Sequence, residues 1–149
     1  MKAISKVFTM CMLLLATSHI KAQVSTSSRP DLFKSYSENV PASVSELGKA
    51  FSATAGSSIK LSFDNKFTFT GTVLSSVCKY KNLSTVIIKS PLLNNALFSI
   101  SRITNDDKTI TYVGRIINEK YADAYELVKD NSGNYSFNKI KTENLIQDF

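Results

Sequence analysis

The chain has 149 residues, a formal net charge of +6 and a single histidine, His19. We expect His19 to be lost with an N-terminal export signal, so that the mature protein carries no imidazole. Imidazole is the side chain best suited to proton transfer near neutral pH, and it is the commonest metal ligand. The composition therefore argues against Ser/His/Asp hydrolases, Cys/His proteases and histidine-ligated metal sites, and no cofactor is predicted.

Residues 1–22 show the three regions of a signal peptide. Two lysines precede an apolar run over residues 7–16, and small or polar residues follow it. The run is about ten residues long, whereas a membrane-spanning helix needs about twenty, so we expect no permanent membrane anchor. Cleavage after Ala22 is preferred, and cleavage after Ser18 is the alternative. The sequence thus predicts a secreted or periplasmic protein.

Removal of the signal peptide lowers both the number of cysteines and the net charge of the protein. Cys11 does not fit a lipid-attachment site, because Met10 precedes it and apolar residues still follow it. Removal of residues 1–22 takes away three lysines and no acid, so the formal charge falls from +6 to +3. Cys78 is then the sole cysteine, and no intrachain disulfide can form. The remaining 127 residues suit one domain that is stabilised by packing.

Residues 23–42 are predicted to form a flexible N-terminal segment, because a Ser/Thr-rich stretch with almost nothing to bury opens it. The segment contains one short apolar patch after Pro30, formed by Leu32, Phe33 and Tyr36. The sequence leaves open whether this patch docks on the sheet of the folded domain or elsewhere.

A single β-rich domain is predicted over residues 43–149, and it begins with a short helix over 43–53. Ser43 and Glu46 form an S-x-x-E capping box at the start of this helix. Gly48 weakens the helix by up to about 1 kcal/mol relative to alanine. We therefore expect a short helix that is held in place by docking.

From residue 59 onward, apolar residues alternate with polar ones, which predicts half-buried strands. Seven strands are expected, at 59–63, 67–77, 84–89, 96–103, 109–117, 123–129 and 134–140. No intervening helix is long enough for a parallel crossover. The predicted fold is mainly β, a curled antiparallel sheet or small open barrel with the helix across its open side or end, and a closed barrel is the alternative.

Hairpin geometry predicts three cross-strand pairs, which are Leu61 with Phe69, Phe98 with Gly114, and Leu127 with Phe137. The first pair assumes a three-residue loop at 64–66, since a two-residue loop would place apolar side chains opposite polar ones. The second assumes a loop at 104–108.

Serine–lysine dyads and paired carboxylates are the catalytic options that remain without histidine. Three S-x-x-K tetrads occur, but residues three apart in a strand point to opposite faces, so chance explains them better. Asp123 and Glu126 have the same spacing, which predicts opposite faces for them too. Glu126 is the one acid kept as a tentative site, because Ala124 and Val128 share its face and are expected to desolvate it partly.

Residues 130–134 offer alternating oxygen ligands, as the start of a calcium loop does, but the glycine and glutamate that the loop requires are missing. A tight hairpin turn is predicted there instead. Lys79, Tyr80 and Lys81 interleave cations with an aromatic ring, as nucleic-acid interfaces do. Export and the modest charge favour a solvated basic edge, so no nucleic-acid partner is predicted. These three residues are kept as a tentative surface site.

Segments of the last third of the chain resemble small uncharacterised exported proteins of the Bacteroidetes. The segments are Tyr112-Val113-Gly114-Arg115-Ile116, Ala124-Tyr125-Glu126-Leu127 and Gly133-Asn134-Tyr135. The end of the leader, residues 20–23, is similar to that group as well. The resemblance implies no activity.

The leading expectation is an exported, non-catalytic β domain that recognises a protein or polysaccharide partner through its surface, as an inhibitor, an accessory subunit or an envelope-associated protein. The alternative is a carrier of small hydrophobic ligands. Its cavity would be lined by five aromatic residues, Phe67, Phe69, Phe98, Tyr112 and Phe137. A histidine-free hydrolase that uses Glu126 and an aspartate is the third hypothesis. The oligomeric state is left open.

Overall fold

The computed structural model describes residues 29–145. The predicted signal peptide, both cleavage sites, His19, Cys11 and the start of the N-terminal segment lie outside the described residues. Within the described range, no helix combines the length and the apolar character that crossing a membrane requires.

Residues 29–145 form eight antiparallel strands and one short helix. The strands are β1 Asn39–Ala42, β2 Ser58–Asp64, β3 Phe67–Tyr80, β4 Leu83–Ser90, β5 Ala96–Thr104, β6 Ile110–Ile117, β7 Asp123–Lys129 and β8 Tyr135–Lys141. The helix α1 covers Val44–Lys49 and continues as a 3-10 turn over Ala50–Ser52. The prediction of a mainly β fold with one short helix is confirmed, with one strand more than expected.

The strands β2 to β8 follow one another as a meander, and β1 pairs beside β8. Because β1 also approaches β2, the sheet curls into a nearly closed barrel.

The helix α1 lies where β1 and β2 approach each other. Ser43 Oγ accepts a hydrogen bond from the Glu46 amide at 3.2 Å, as the capping box predicts. The Glu46 carboxylate accepts a hydrogen bond from the backbone amide of Ser62 on β2 at 2.9 Å. This carboxylate therefore pairs with an amide at the edge of the sheet instead of an amide at the start of the helix.

The described part of the N-terminal segment, residues 29–42, differs from the expectation of flexibility over 23–42. Its last four residues are β1, and Phe33 is fully buried with its ring centroid 4.8 Å from that of Tyr125. The buried carboxylate of Asp123 accepts hydrogen bonds from the amides of Leu32 at 2.6 Å and of Phe33 at 2.8 Å. The apolar patch therefore docks on the sheet, through a carboxylate about ninety residues further along the chain.

Two of the three predicted cross-strand pairs are confirmed, Leu61 with Phe69 and Leu127 with Phe137. The first pair arises by a different local structure. The turn between β2 and β3 contains two residues, 65–66, and the extra residue is a bulge at Phe63 instead of a third loop residue. A bulge restores the register that a two-residue turn alone would lose.

The third predicted pair is wrong, because Ile100 and not Phe98 lies opposite Gly114. The loop between β5 and β6 covers 105–109, one residue later than the predicted 104–108. A backbone hydrogen bond of 2.9 Å joins its first and last residues. Because the loop lies one residue later, each residue of β5 pairs with a residue of β6 two positions further along than predicted. Side chains alternate between the two faces of a strand, so a shift of two residues keeps every side chain on its predicted face.

Aromatic rings pack against one another in the barrel interior. The centroid of the Phe137 ring lies 4.8 Å from that of Phe63, 5.5 Å from that of Phe98 and 6.5 Å from that of Phe67. These separations are typical of rings in contact. The side chains of the chain itself thus occupy the middle of the barrel.

Both ends of the barrel are covered. Phe33 packs at the end where β3 and β7 begin. At the other end α1 buries Leu47 and places Phe51 beside Tyr112, with ring centroids 5.9 Å apart. The Arg102 guanidinium lies 4.8 Å above the Phe51 ring. Side chains of the described residues therefore fill the barrel at both ends.

Candidate functional site

The tentative site residues from the sequence fall on two separate surfaces. Lys79, Tyr80 and Lys81 are exposed at the end of β3 and in the turn that follows it, and Tyr80 is 70% exposed. Glu126 is exposed on β7, opposite Arg115. Three strands separate β3 from β7 in either direction around the barrel, so the structure does not bring the two sets together.

The carboxylates Asp123 and Glu126 lie on opposite faces of β7, as their spacing predicts. Asp123 is buried and bonded to the N-terminal segment, whereas Glu126 is exposed. The expectation that neighbouring side chains desolvate Glu126 is therefore wrong. Across residues 29–145, no group of three or more acidic, cysteine or histidine side chains is placed to hold a metal ion.

The calcium-like stretch 130–134 is a tight hairpin turn, as predicted. Asp130 Oδ1 accepts hydrogen bonds from the amides of Ser132 and Asn134, both at 2.8 Å. These bonds, led by the one from Asn134, lower the pKa of Asp130. The carboxylate is thus satisfied by its own turn.

Among the described residues, one candidate site is an open cleft of about 450 Å³ on the outer face of the barrel. We name it the lysine–asparagine cleft. Its lining consists of Leu74, Lys89, Asn94, Asn95, Leu97, Asn118 and Lys120. Its volume falls in the range of about 300–1,000 Å³ that is typical of small-ligand sites.

The apolar part of the cleft comes from a bulge and a strand pair. Leu74 is the extra residue of β3 between the pairs Val73 with Ile88 and Ser75 with Ile87, so its side chain is pushed outward. Leu97 lies directly opposite Lys89 in the ladder between β4 and β5. The strand geometry thus presents two leucines and one lysine on a single outer surface.

The turn between β4 and β5 supplies two of the three asparagines. Asn94 and Asn95 adopt positive φ angles of 51° and 68°. Asparagine tolerates this left-handed conformation better than most residues. The Asn95 amide donates to the Ser90 carbonyl oxygen at 2.9 Å, which closes the turn.

A hydrogen-bond network fixes this turn against the loop between β6 and β7. Asn118 Nδ2 donates to the Asn94 carbonyl oxygen at 2.8 Å. Asn94 Nδ2 donates to the Tyr121 hydroxyl at 2.8 Å. The next residue of the loop, Ala122, donates its amide to the Pro30 carbonyl oxygen at 2.9 Å. The two walls of the cleft are therefore held in place before any ligand arrives.

The cleft is a cationic and amide-rich surface. Its seven lining residues include two lysines, three asparagines and two leucines, and no carboxylate. Ammonium groups bind anions, amides both donate and accept hydrogen bonds, and leucines bury apolar groups. This combination is suited to recognition of an anionic ligand that also has an apolar part.

Sequence reasoning missed this site. In the sequence, Asn94 and Asn95 lie in the gap between the predicted strands 84–89 and 96–103, and Lys120 lies in the gap between 109–117 and 123–129. Residues of these types are ordinary in such gaps and do not by themselves indicate a binding site. The available signal was the two consecutive asparagines close to strand-end lysines. The local sequence does not show that the turn after β4 and the loop after β6 lie at the same end of the barrel. Hydrogen bonds join these two segments in the structure.

No protein-family model, curated protein or solved structure matches the chain. The resemblance to exported Bacteroidetes proteins therefore stays a prediction.

Proposed function

We propose that this protein is an exported, non-catalytic β domain that recognises a protein or polysaccharide partner through its outer surface. It would act as an inhibitor, an accessory subunit or an envelope-associated protein. The observation that carries this proposal is the lysine–asparagine cleft, whose walls are fixed by hydrogen bonds and whose lining offers binding groups.

The interior of the barrel supports recognition at the outer surface over the carrier hypothesis. The five aromatic residues suggested as a cavity lining are all buried, and each belongs to the single core cluster. Phe69 and Phe137 both contact Phe98, with ring centroids 5.5 Å apart in each case. A hydrophobic ligand would have to displace rings that already contact one another, at the cost of those contacts.

The hydrolase hypothesis receives less support from the same geometry. A pair of catalytic carboxylates has to flank one bond. Asp123 points into the barrel and bonds to backbone amides, while Glu126 points outward to solvent. The two acids therefore do not face a common substrate position.

Affinity capture with matched variants tests the proposal. The mature protein, the Lys89→Gln/Lys120→Gln variant and the Lys79→Gln/Lys81→Gln variant would be immobilised and exposed to the periplasmic and medium fractions of the source cells. The two variants lose the same charge at different places. We expect one partner to be retained by the wild-type protein and by the Lys79/Lys81 variant, and to be lost from the Lys89/Lys120 variant. Retention of nothing by the wild-type protein would contradict the proposal.

A further inference from the structure

We propose that the lysine–asparagine cleft binds an acidic peptide segment, in which carboxylate side chains flank an aliphatic side chain, on an exported protein partner. This inference rests on the proposed function and specifies the ligand of the same site. Charge, amide groups and apolar surface in the cleft each support it.

The two lysines set the charge of the ligand. Lys89 is partly buried on β4, and Lys120 is exposed on the loop after β6. Neither forms an ion pair with any carboxylate in the described part of the chain. Glu119 precedes Lys120 in the chain but does not line the cleft. The Arg29 guanidinium donates a hydrogen bond to the backbone carbonyl oxygen of Glu119 at 2.7 Å, so a further cation lies at this loop. A segment with two or more carboxylates matches this arrangement.

Asn95 provides a group suited to a peptide backbone. Among residues 29–145 its side-chain amide has no hydrogen-bond partner, whereas the amides of Asn94 and Asn118 hold the walls together. A free side-chain amide offers both donors and an acceptor, which complements one peptide unit. Because the backbone of Asn95 is fixed by its turn, little ordering is needed on binding.

The apolar residues favour a peptide over a polysaccharide. Leu74 is 52% exposed and Leu97 is 37% exposed. Sugar rings pack their flat C–H faces against aromatic rings, and the lining of the cleft contains none. Placing sugar hydroxyls against leucine would leave them without hydrogen-bond partners, which is unfavourable. An aliphatic side chain between two acids would instead bury apolar surface against both leucines.

Selection from a display library of random dodecamer peptides tests the proposal without assuming a sequence. We expect selection on the wild-type protein to enrich peptides that carry aspartate or glutamate next to leucine, isoleucine or valine. The enriched peptides would then be synthesised and their affinities measured by calorimetry. Enrichment of basic or uncharged peptides, or no enrichment, would overturn the proposal.

Matched variants locate the binding. We expect Lys89→Gln/Lys120→Gln to weaken the synthesised peptides by about tenfold or more, since two charge-assisted contacts are lost. Asn95→Asp keeps the turn and adds a negative charge, so it should weaken them as well. Lys79→Gln/Lys81→Gln is the control and should change the affinity by less than twofold. An equal loss in the control would show non-specific attraction to cations and overturn the proposal.

Polygalacturonate is the polysaccharide probe. We expect it to bind weakly and to be insensitive to Leu97→Ser, whereas the acidic peptides should lose several-fold in affinity with that variant. If polygalacturonate bound better than the peptides, the ligand would be an acidic glycan and the proposal would be wrong. Failure of the peptides together with a retained partner in the capture experiment would leave the proposed function intact and remove only the acidic-peptide assignment.

Discussion

The hydroxyl of Tyr135 on β8 accepts a hydrogen bond from the backbone amide of Tyr112 on β6 at 3.0 Å, across the strand that lies between them. The ladder between β6 and β7 has two pairs only within the described structure, Arg115 with Glu126 and Ile116 with Tyr125. The first half of β6 therefore separates from β7, and a tyrosine hydroxyl occupies the place of a strand carbonyl. Both tyrosines are buried, so water does not compete freely for this bond.

Replacing Tyr135 by phenylalanine should leave the Tyr112 amide buried and unpaired. We expect Tyr135→Phe to lower the free energy of unfolding by about 1–3 kcal/mol, as measured by chemical denaturation. Tyr80→Phe is the matched control, because Tyr80 is 70% exposed and its change should be within about 0.5 kcal/mol. Equal stabilities of the two variants would show that the hydroxyl contributes nothing at the β6–β7 gap.

Replacing Asp123 by asparagine should release the N-terminal segment. The neutral side chain keeps one acceptor for the Leu32 and Phe33 amides but loses the charge, so we expect a loss of about 1.5–3 kcal/mol. Limited trypsin digestion should then cut faster after the exposed Lys34. Glu126→Gln removes the same charge from the exposed face of β7 and should change neither measurement. Unchanged digestion of the Asp123 variant would mean that the carboxylate does not anchor the segment.

Two glycine substitutions should have opposite effects. A Cβ atom on Gly71 would lie 2.3 Å from the Lys89 carbonyl oxygen, so Gly71→Ala forces β3 and β4 apart. We expect it to destabilise the protein by about 3 kcal/mol or more in thermal unfolding.

A Cβ atom on Gly48 meets only the Tyr112 hydroxyl at 3.6 Å, so Gly48→Ala should stabilise the helix by up to about 1 kcal/mol. Destabilisation by both would show that α1 packs more tightly than this geometry allows.

The stability at high pH should depend on Tyr125. Burial, with smaller contributions from the negative charges of Glu38 and Asp123, raises the pKa of Tyr125 to about 12. In the unfolded chain a tyrosine has a pKa of about 10, so the neutral form is favoured by folding. The corresponding stabilisation is complete below about pH 10 and is lost as the pH rises toward about 12.

Phenolate absorbance during an alkaline titration measures this directly. We expect one tyrosine of the folded protein to ionise last, together with unfolding, and this late step to be absent from Tyr125→Phe. The variant should also lose less stability over the same pH range. A late step of unchanged size in Tyr125→Phe would assign it to another tyrosine.

Most of the strand arrangement could be predicted because it is local. Alternation of apolar residues defines the strand faces, and hairpins of a few residues define the pairing, so Leu127 and Phe137 could be placed opposite each other from sequence. The strand β1 could not, because it contains four residues with a proline, and Val40 pairs with Phe137 from the far end of the chain. Its existence depends on β8 being formed.

The lysine–asparagine cleft could not be predicted for the same reason. Its residues come from a bulge in β3, the strands β4 and β5, the turn between them, and the loop after β6. Each of these segments, taken alone, has the sequence of an ordinary turn or strand. The two walls are joined by contacts such as the bond from Asn118 to the turn at Asn94, between residues 24 positions apart.

Native mass spectrometry of the freshly purified protein tests most directly whether the barrel interior is occupied by the chain's own side chains, so that binding takes place on the outer surface. We expect the mass of the polypeptide alone, with an acidic peptide from the selection as the only small ligand that adds to it. A co-purified lipid or other hydrophobic molecule, retained by the Lys89→Gln/Lys120→Gln variant as well, would contradict this and indicate an internal binding site.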